Sequence, residues 1–125
     1  MKIIPRFFHG ILDYMTALFL LLVPNLLGFA HLGGSVVWLP RIVGLMILLQ
    51  AMTTDYELGL IKIVPIKMHL MTDYLVATFL VIAPWLFGFS DRVATATVAL
   101  VIAGLVVAGT TLMTEPRGRP RKVMA

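Results

Sequence analysis

Sixty residues after each of its most distinctive positions, this chain presents the same residue again. Lys2-Ile3-Ile4-Pro5, His9, Asp13-Tyr14, Ala17, Phe19-Leu20, Pro24, Leu26 and Gly28-Phe29 return as Lys62-Ile63-Val64-Pro65, His69, Asp73-Tyr74, Ala77, Phe79-Leu80, Pro84, Leu86 and Gly88-Phe89. Weaker echoes follow, with Ile42, Gly44, Leu45 and Thr54 matched by Ile102, Gly104, Leu105 and Thr114, and Asp55 met by Glu115. A period of this length makes each copy one supersecondary unit that buries its apolar face against its neighbour. The fold must therefore be a paired one.

The solvent of that fold follows from composition. With 60% hydrophobic residues and a mean hydropathy of +0.99 over 125 residues, the chain lies beyond the apolar share of soluble domains. A transmembrane helix takes about 20 mostly apolar residues, and four stretches approach this: roughly 9 to 29, 39 to 54, 69 to 89 and 94 to 113. The second is short, but Trp38 at its start and Thr53-Thr54 at its end let it adjust its depth. The first run resembles a signal peptide, yet the small-residue cleavage pattern is poor and the run recurs at 69 to 89, so we expect a retained first helix. There is no cysteine, which excludes disulfides, thiolate metal sites and a cysteine nucleophile.

The expected fold is all-α: an integral membrane four-helix bundle of two tandem transmembrane hairpins filling one domain, 1–125. Repeat 1 covers 2–57, repeat 2 covers 62–115, and a basic, disordered tail covers 116–125. Two helices per copy give both copies the same orientation, so the pseudo-two-fold axis runs along the membrane normal. Pro5 and Pro65 mark helix starts, where a missing N–H costs nothing. Pro24 and Pro84 bring a kink or an early end, and Gly28 and Gly88 close the segments. Residues 30 to 35 form the first outer turn, and Ser90-Asp91-Arg92 the second, with Ser90 as a candidate N-cap. In the second helix of each copy, Gly44, Ala51 and Asp55 align with Leu48, and Gly104, Ala108, Thr111 and Glu115 form the matching stripe, which faces the partner helices. The stretch from 56 to 68 is too apolar for a free linker and is placed at the inner interface, with Lys62 and Lys67 snorkelling.

Basic residues orient the bundle. Lys2, Arg6, Lys62, Lys67, Arg117, Arg119, Arg121 and Lys122 occupy the N-terminus, the central connection and the tail, whereas the other two loops carry only Arg41 and Arg92. This asymmetry puts both termini in the cytoplasm of a bacterial-type inner (plasma) membrane. The net charge of +4 then reflects topology and attraction to anionic lipid rather than a nucleic-acid partner.

The segment Ala83-Pro84-Trp85-Leu86-Phe87-Gly88-Phe89-Ser90-Asp91 resembles the SPW repeat family, small membrane proteins with a Ser-Pro-Trp motif in the first of two transmembrane helices per repeat. Alanine replaces the serine here, and the first copy reads Val23-Pro24-Asn25. The resemblance covers nearly the whole chain through its two copies. It implies a membrane location and a doubled hairpin, with Pro24, Gly28, Pro84, Trp85 and Gly88 as the structural motif, and carries no activity.

The chemistry rests on ionisable residues in apolar surroundings. His9 and Asp13 are one helical turn apart, with Ala17 continuing their face, and His69, Asp73 and Ala77 repeat the arrangement. From Pro5 to Asp13 is about 12 Å of helix, which puts the pair near the inner edge of the hydrocarbon. Asp55 and Glu115 end the other two helices on the same side. One reading is structural: each His satisfies the Asp one turn away at the interface, and Tyr14 and Tyr74 serve as belt aromatics. A second is a proton or cation site in a low-dielectric layer. A third is metal binding, since two His and four carboxylates match the inventory of di-iron bundles, although His-x-x-x-Asp differs from their Glu-x-x-His. A fourth is a b-type haem held axially by His9 and His69.

No phosphate-cradling glycine loop, base-activated serine or His-Glu-x-x-His helix is present, and His31 belongs to an outer loop. Asn25 has no counterpart in the second copy, where Trp85 stands, and is read as interfacial polarity. The expectation is a non-enzymatic membrane protein that binds or relays a proton or cation through His9, Asp13, His69 and Asp73, closed by Asp55 and Glu115. The alternatives are a haem or di-metal redox bundle and a structural interaction protein. The lipid bilayer is its first partner, and so small a bundle leaves surface for self-association.

Overall fold

Proline and glycine set the ends of the first helix in each copy. A computed structural model describes residues 4–54 and 58–114. Within them α1 runs Arg6–Leu26, α2 Ser35–Thr53, α3 Ile66–Leu86 and α4 Ala94–Met113. Pro5 and Pro65 are the N-cap residues, with extended ψ of 154° and 144°, so α1 and α3 start at the next residue, as the two prolines led us to expect. Their far ends are closed by the expected glycines. Leu27 and Phe87 cap them, Gly28 and Gly88 follow at φ +76° and +77°, and the N–H groups of Phe29 and Phe89 donate to the carbonyls of Pro24 and Pro84, both at 2.9 Å. This is a Schellman closure, in which only glycine adopts the left-handed φ without strain. It turns Phe29 and Phe89 inward, where they are 3% and 0% exposed.

Two loop expectations are corrected. The helix expected from 39 begins at Ser35, because the Gly34 carbonyl accepts from Val37 and Trp38 N–H at 3.1 and 3.0 Å and starts the helix one turn earlier. Pro40 therefore lies inside α2, and the outer turn before it holds a 3₁₀ turn at Ala30–Leu32 followed by Gly33 and Gly34. Ser90 is not the N-cap of α4. Val93 takes that place, while the Ser90 carbonyl accepts from Thr97 Oγ1 at 3.1 Å.

All four helices are long and apolar enough to cross a membrane, and the protein is a multi-pass membrane protein of two helical hairpins. Within each hairpin the small-residue stripe lets backbones meet. A Cβ placed on Gly44 would stand 2.9 Å from the Ala17 carbonyl oxygen, and one on Gly104 would stand 2.8 Å from that of Ala77. Such approach is how helices associate in lipid, where apolar side chains gain little from leaving the solvent. Leu20, Leu80, Leu100 and Ala17 are fully buried in the shared core, while Phe8, Leu18, Leu75 and Leu105 point outward.

The hairpins are closed at one end by exchanged main chain. The segment before α3 caps α2: Leu60 and Ile61 N–H donate to the Met52 carbonyl at 2.8 and 2.9 Å, and Ile63 and Val64 N–H to that of Thr53 at 2.9 and 2.8 Å. The segment before α1 does the same for α4 through Ile4 N–H and the Met113 carbonyl at 2.7 Å. The paired residues, Thr54 with Val64 and Thr114 with Ile4, are equivalent in the repeat. Each copy thus completes the other's second helix. Leu60, Ile61 and Ile63 of the connection are exposed, which fits an apolar surface lying at the interface. The Tyr14 hydroxyl donates to the Leu58 carbonyl at 2.8 Å and ties α1 to this connection. Asn25 accepts from Arg41 Nη2 at 2.9 Å.

Candidate functional site

His9 and Asp13 occupy the first two turns of α1, and His69 and Asp73 those of α3, at the end where the main chain is exchanged. The pseudo-two-fold points the two pairs at each other. His9 Nε2 lies 2.9 Å from Asp73 Oδ2 and 3.2 Å from Asp13 Oδ1. His69 Nε2 lies 2.8 Å from Asp13 Oδ2 and 3.3 Å from Asp73 Oδ2. Both shorter contacts cross between hairpins. The imidazoles meet edge to face with centroids 5.5 Å apart, and the residues are 1%, 7%, 1% and 4% exposed in the order His9, Asp13, His69, Asp73.

The other nitrogen of each ring is held by a threonine that sequence reasoning passed over. His9 Nδ1 is 2.8 Å from Thr114 Oγ1, and His69 Nδ1 is 2.6 Å from Thr54 Oγ1. Each hydroxyl also contacts a carbonyl four residues back, Thr114 that of Thr110 at 2.5 Å and Thr54 that of Gln50 at 2.6 Å. A carbonyl cannot donate, so the single hydroxyl hydrogen lies in that contact, and the threonine oxygen can only accept from the ring. Both histidines therefore carry a proton on Nδ1, and both turn Nε2 toward the carboxylates. Thr54 and Thr114, each 0% exposed, are the first residues beyond their helices and return sixty apart. That recurrence was the signal, visible but mute while the fold was unknown.

The centre is not fully symmetric. Thr111 Oγ1 donates to Asp73 Oδ2 at 3.3 Å, whereas the equivalent position beside Asp13 is Ala51, which has no hydroxyl. Of the expected residues, the structure gathers His9, Asp13, His69 and Asp73; Asp55 and Glu115, along with the tail, lie outside the described residues. Tyr74 and His31 stay on the surface.

This geometry sorts the chemical possibilities. One ring nitrogen from each histidine and one oxygen from each carboxylate lie within 4.8 Å of one another, a cluster of the size that surrounds one ion. Two ions need about 3.5 to 4 Å between themselves alone. Axial haem ligation needs an open slab between the imidazoles, and here the carboxylates fill it at 2.8 to 3.3 Å from Nε2. The arrangement can hold protons between acid and imidazole or a single cation among all four groups.

Comparison with known proteins agrees with the architecture. No curated protein and no solved structure matches the chain. A family profile does: the SPW repeat domain matches residues 7–114, from the first turn of α1 to the threonine beside His9. The doubled hairpin, the proline-glycine closures and this match across most of the chain place it in one family, and the protein belongs to the SPW repeat family.

Proposed function

We propose that the protein is a plasma-membrane protein with both termini on the cytoplasmic side, and that its function resides in a cation site formed by His9, Asp13, His69 and Asp73. The site takes up a proton or a metal ion between the hairpins. The observation that carries this reading is the crossing of contacts: each imidazole lies nearer the acid of the other copy than the acid on its own helix. Acids and imidazoles within membrane-spanning segments are costly and mark ion or proton sites. The basic N-terminus and tail and exposed Lys67 support the orientation, and Asp55 and Glu115 are retained as candidates to close the site.

The test is reconstitution into vesicles that enclose a pH-sensitive dye, with an imposed proton or metal-ion gradient. The wild-type chain should couple the gradient to the dye, or bind the ion stoichiometrically, and Asp13→Asn with Asp73→Asn should abolish the response while helicity and assembly persist. Equal behaviour of the wild type and the doubly substituted chain would remove the reading.

A second reading has its own support. The hairpins pack far more closely within themselves than against each other, so the four polar groups also act as a clasp between them. If Asp13→Asn with Asp73→Asn separates the hairpins as severely as it silences ion uptake, the clasp is the function.

A further inference from the structure

The cluster matches one ion chemistry better than the rest. We propose that it is a mononuclear site for a divalent transition-metal ion, coordinated tetrahedrally by Nε2 of His9 and His69 and by one carboxylate oxygen each from Asp13 and Asp73, with Thr54 and Thr114 as positioning residues. The proposal rests on the reading of this cluster as the functional centre and names the ligand it takes.

Three observations carry it. The first is spacing: with bonds of about 2.0 to 2.2 Å, tetrahedral geometry separates neighbouring ligands by roughly 3.3 to 3.6 Å. The nitrogen-to-oxygen distances here are 2.8 to 3.3 Å, with Asp73 Oδ2 shared by both rings and the two Asp13 contacts made by different oxygens. The four groups offer ligand atoms that all lie within 4.8 Å of one another, so small side-chain rotations that bring one oxygen of each acid to the two nitrogens complete the tetrahedron. The second is orientation. Metal-bound histidine donates its remaining ring N–H to a fixed acceptor, which sets the tautomer, and both rings already do so through threonine oxygens anchored on helix carbonyls. The third is charge and softness. Two carboxylates balance a divalent ion, and two imidazole nitrogens favour zinc, cobalt or iron over calcium and magnesium, which take oxygen ligands at higher coordination number.

Threonine matters here because of where it is rooted. It is the residue after α2 or α4, and its hydroxyl is aimed by the last turn of that helix. Each imidazole is therefore oriented by the opposite hairpin, Thr114 of α4 for His9 and Thr54 of α2 for His69. Ligand geometry and hairpin association are one event.

The experiment uses the full chain purified in detergent, stripped of metal by chelator and titrated with Co²⁺. One equivalent should bind with the intense visible bands of tetrahedral cobalt, Zn²⁺ should bleach them stoichiometrically, and excess Mg²⁺ or Ca²⁺ should not. Thr54→Val and Thr114→Val should each weaken Co²⁺ binding by about 10- to 100-fold, and Thr54→Ser should restore it. His69→Gln should abolish the bands, with circular dichroism and size-exclusion elution confirming an intact bundle. A spectrum with only the faint bands of octahedral cobalt, or binding retained in His9→Gln with His69→Gln, overturns the proposal. So does an absence of binding by the wild-type chain. If the vesicle assay still reports proton coupling that Asp13→Asn with Asp73→Asn removes, the metal assignment alone fails. Silence in both assays removes the functional centre as well.

Discussion

His69 Nε2 lies 2.8 Å from an oxygen of Asp13 on the other hairpin and 3.3 Å from Asp73, one turn along its own helix. A sequence pattern of His-x-x-x-Asp suggests a pair satisfied locally, and the folded protein prefers the distant partner. The local spacing brings each acid near, and the pseudo-two-fold brings the other acid nearer.

Removing one acid should therefore damage the join between hairpins more than either hairpin. Asp13→Ala leaves two buried imidazoles facing a single carboxylate and should cost about 3 to 5 kcal/mol, the usual penalty for breaking a buried ionic partnership from one side. Asp13→Asn should cost less, because an amide still accepts a hydrogen bond. Unfolding in detergent, followed by circular dichroism, gives the difference, and crosslinks placed across α1 and α3 should be lost before those within a hairpin.

The glycines of α2 and α4 allow a sharp contrast. Gly44→Ala and Gly104→Ala push a methyl against the carbonyl oxygens of Ala17 and Ala77 at 2.9 and 2.8 Å, and each should destabilise by about 1 to 3 kcal/mol through overpacking. Gly109, also in α4, has open space where its Cβ would be. Gly109→Ala should be neutral or stabilising by up to about 1 kcal/mol from helix propensity. Thermal midpoints of the three variants check both signs.

At the opposite end, Gly88 closes α3 at φ +77° with room around it. Gly88→Ala should cost about 1 to 2 kcal/mol from left-handed strain alone. Gly28→Ala should do the same in the first copy, where φ is +76°. Were packing the issue, Gly88→Asn would be worse than alanine, whereas strain predicts that asparagine is tolerated better. A melting series of the three side chains at position 88 separates them.

The Tyr14 hydroxyl holds the connection between hairpins through the Leu58 carbonyl. Tyr14→Phe should lose about 0.5 to 1.5 kcal/mol, the net worth of one hydrogen bond. The loss should be local: hydrogen exchange should quicken at Leu60 and Ile61, whose N–H groups cap α2, and stay unchanged in α4.

The sequence alone determined four membrane-spanning helices, their doubling and their proline-glycine boundaries, because hydropathy, missing N–H groups and positive φ are properties of a residue and its immediate neighbours. It also marked His9, Asp13, His69 and Asp73 as the positions where ionisable groups recur in apolar surroundings. What it left undecided was partnership. Thr54 and Thr114 looked like weak echoes of the repeat until the end of each second helix came to rest beside the first helix of the other copy. Ser90 looked like a cap, and the partner of Tyr14 stayed hidden, because local pattern cannot tell which groups will arrive nearby. Only the tertiary structure decided that each imidazole is both aimed by a threonine and faced by an acid of the opposite hairpin, since contacts between hairpins depend on how helices pack and on nothing within a single turn.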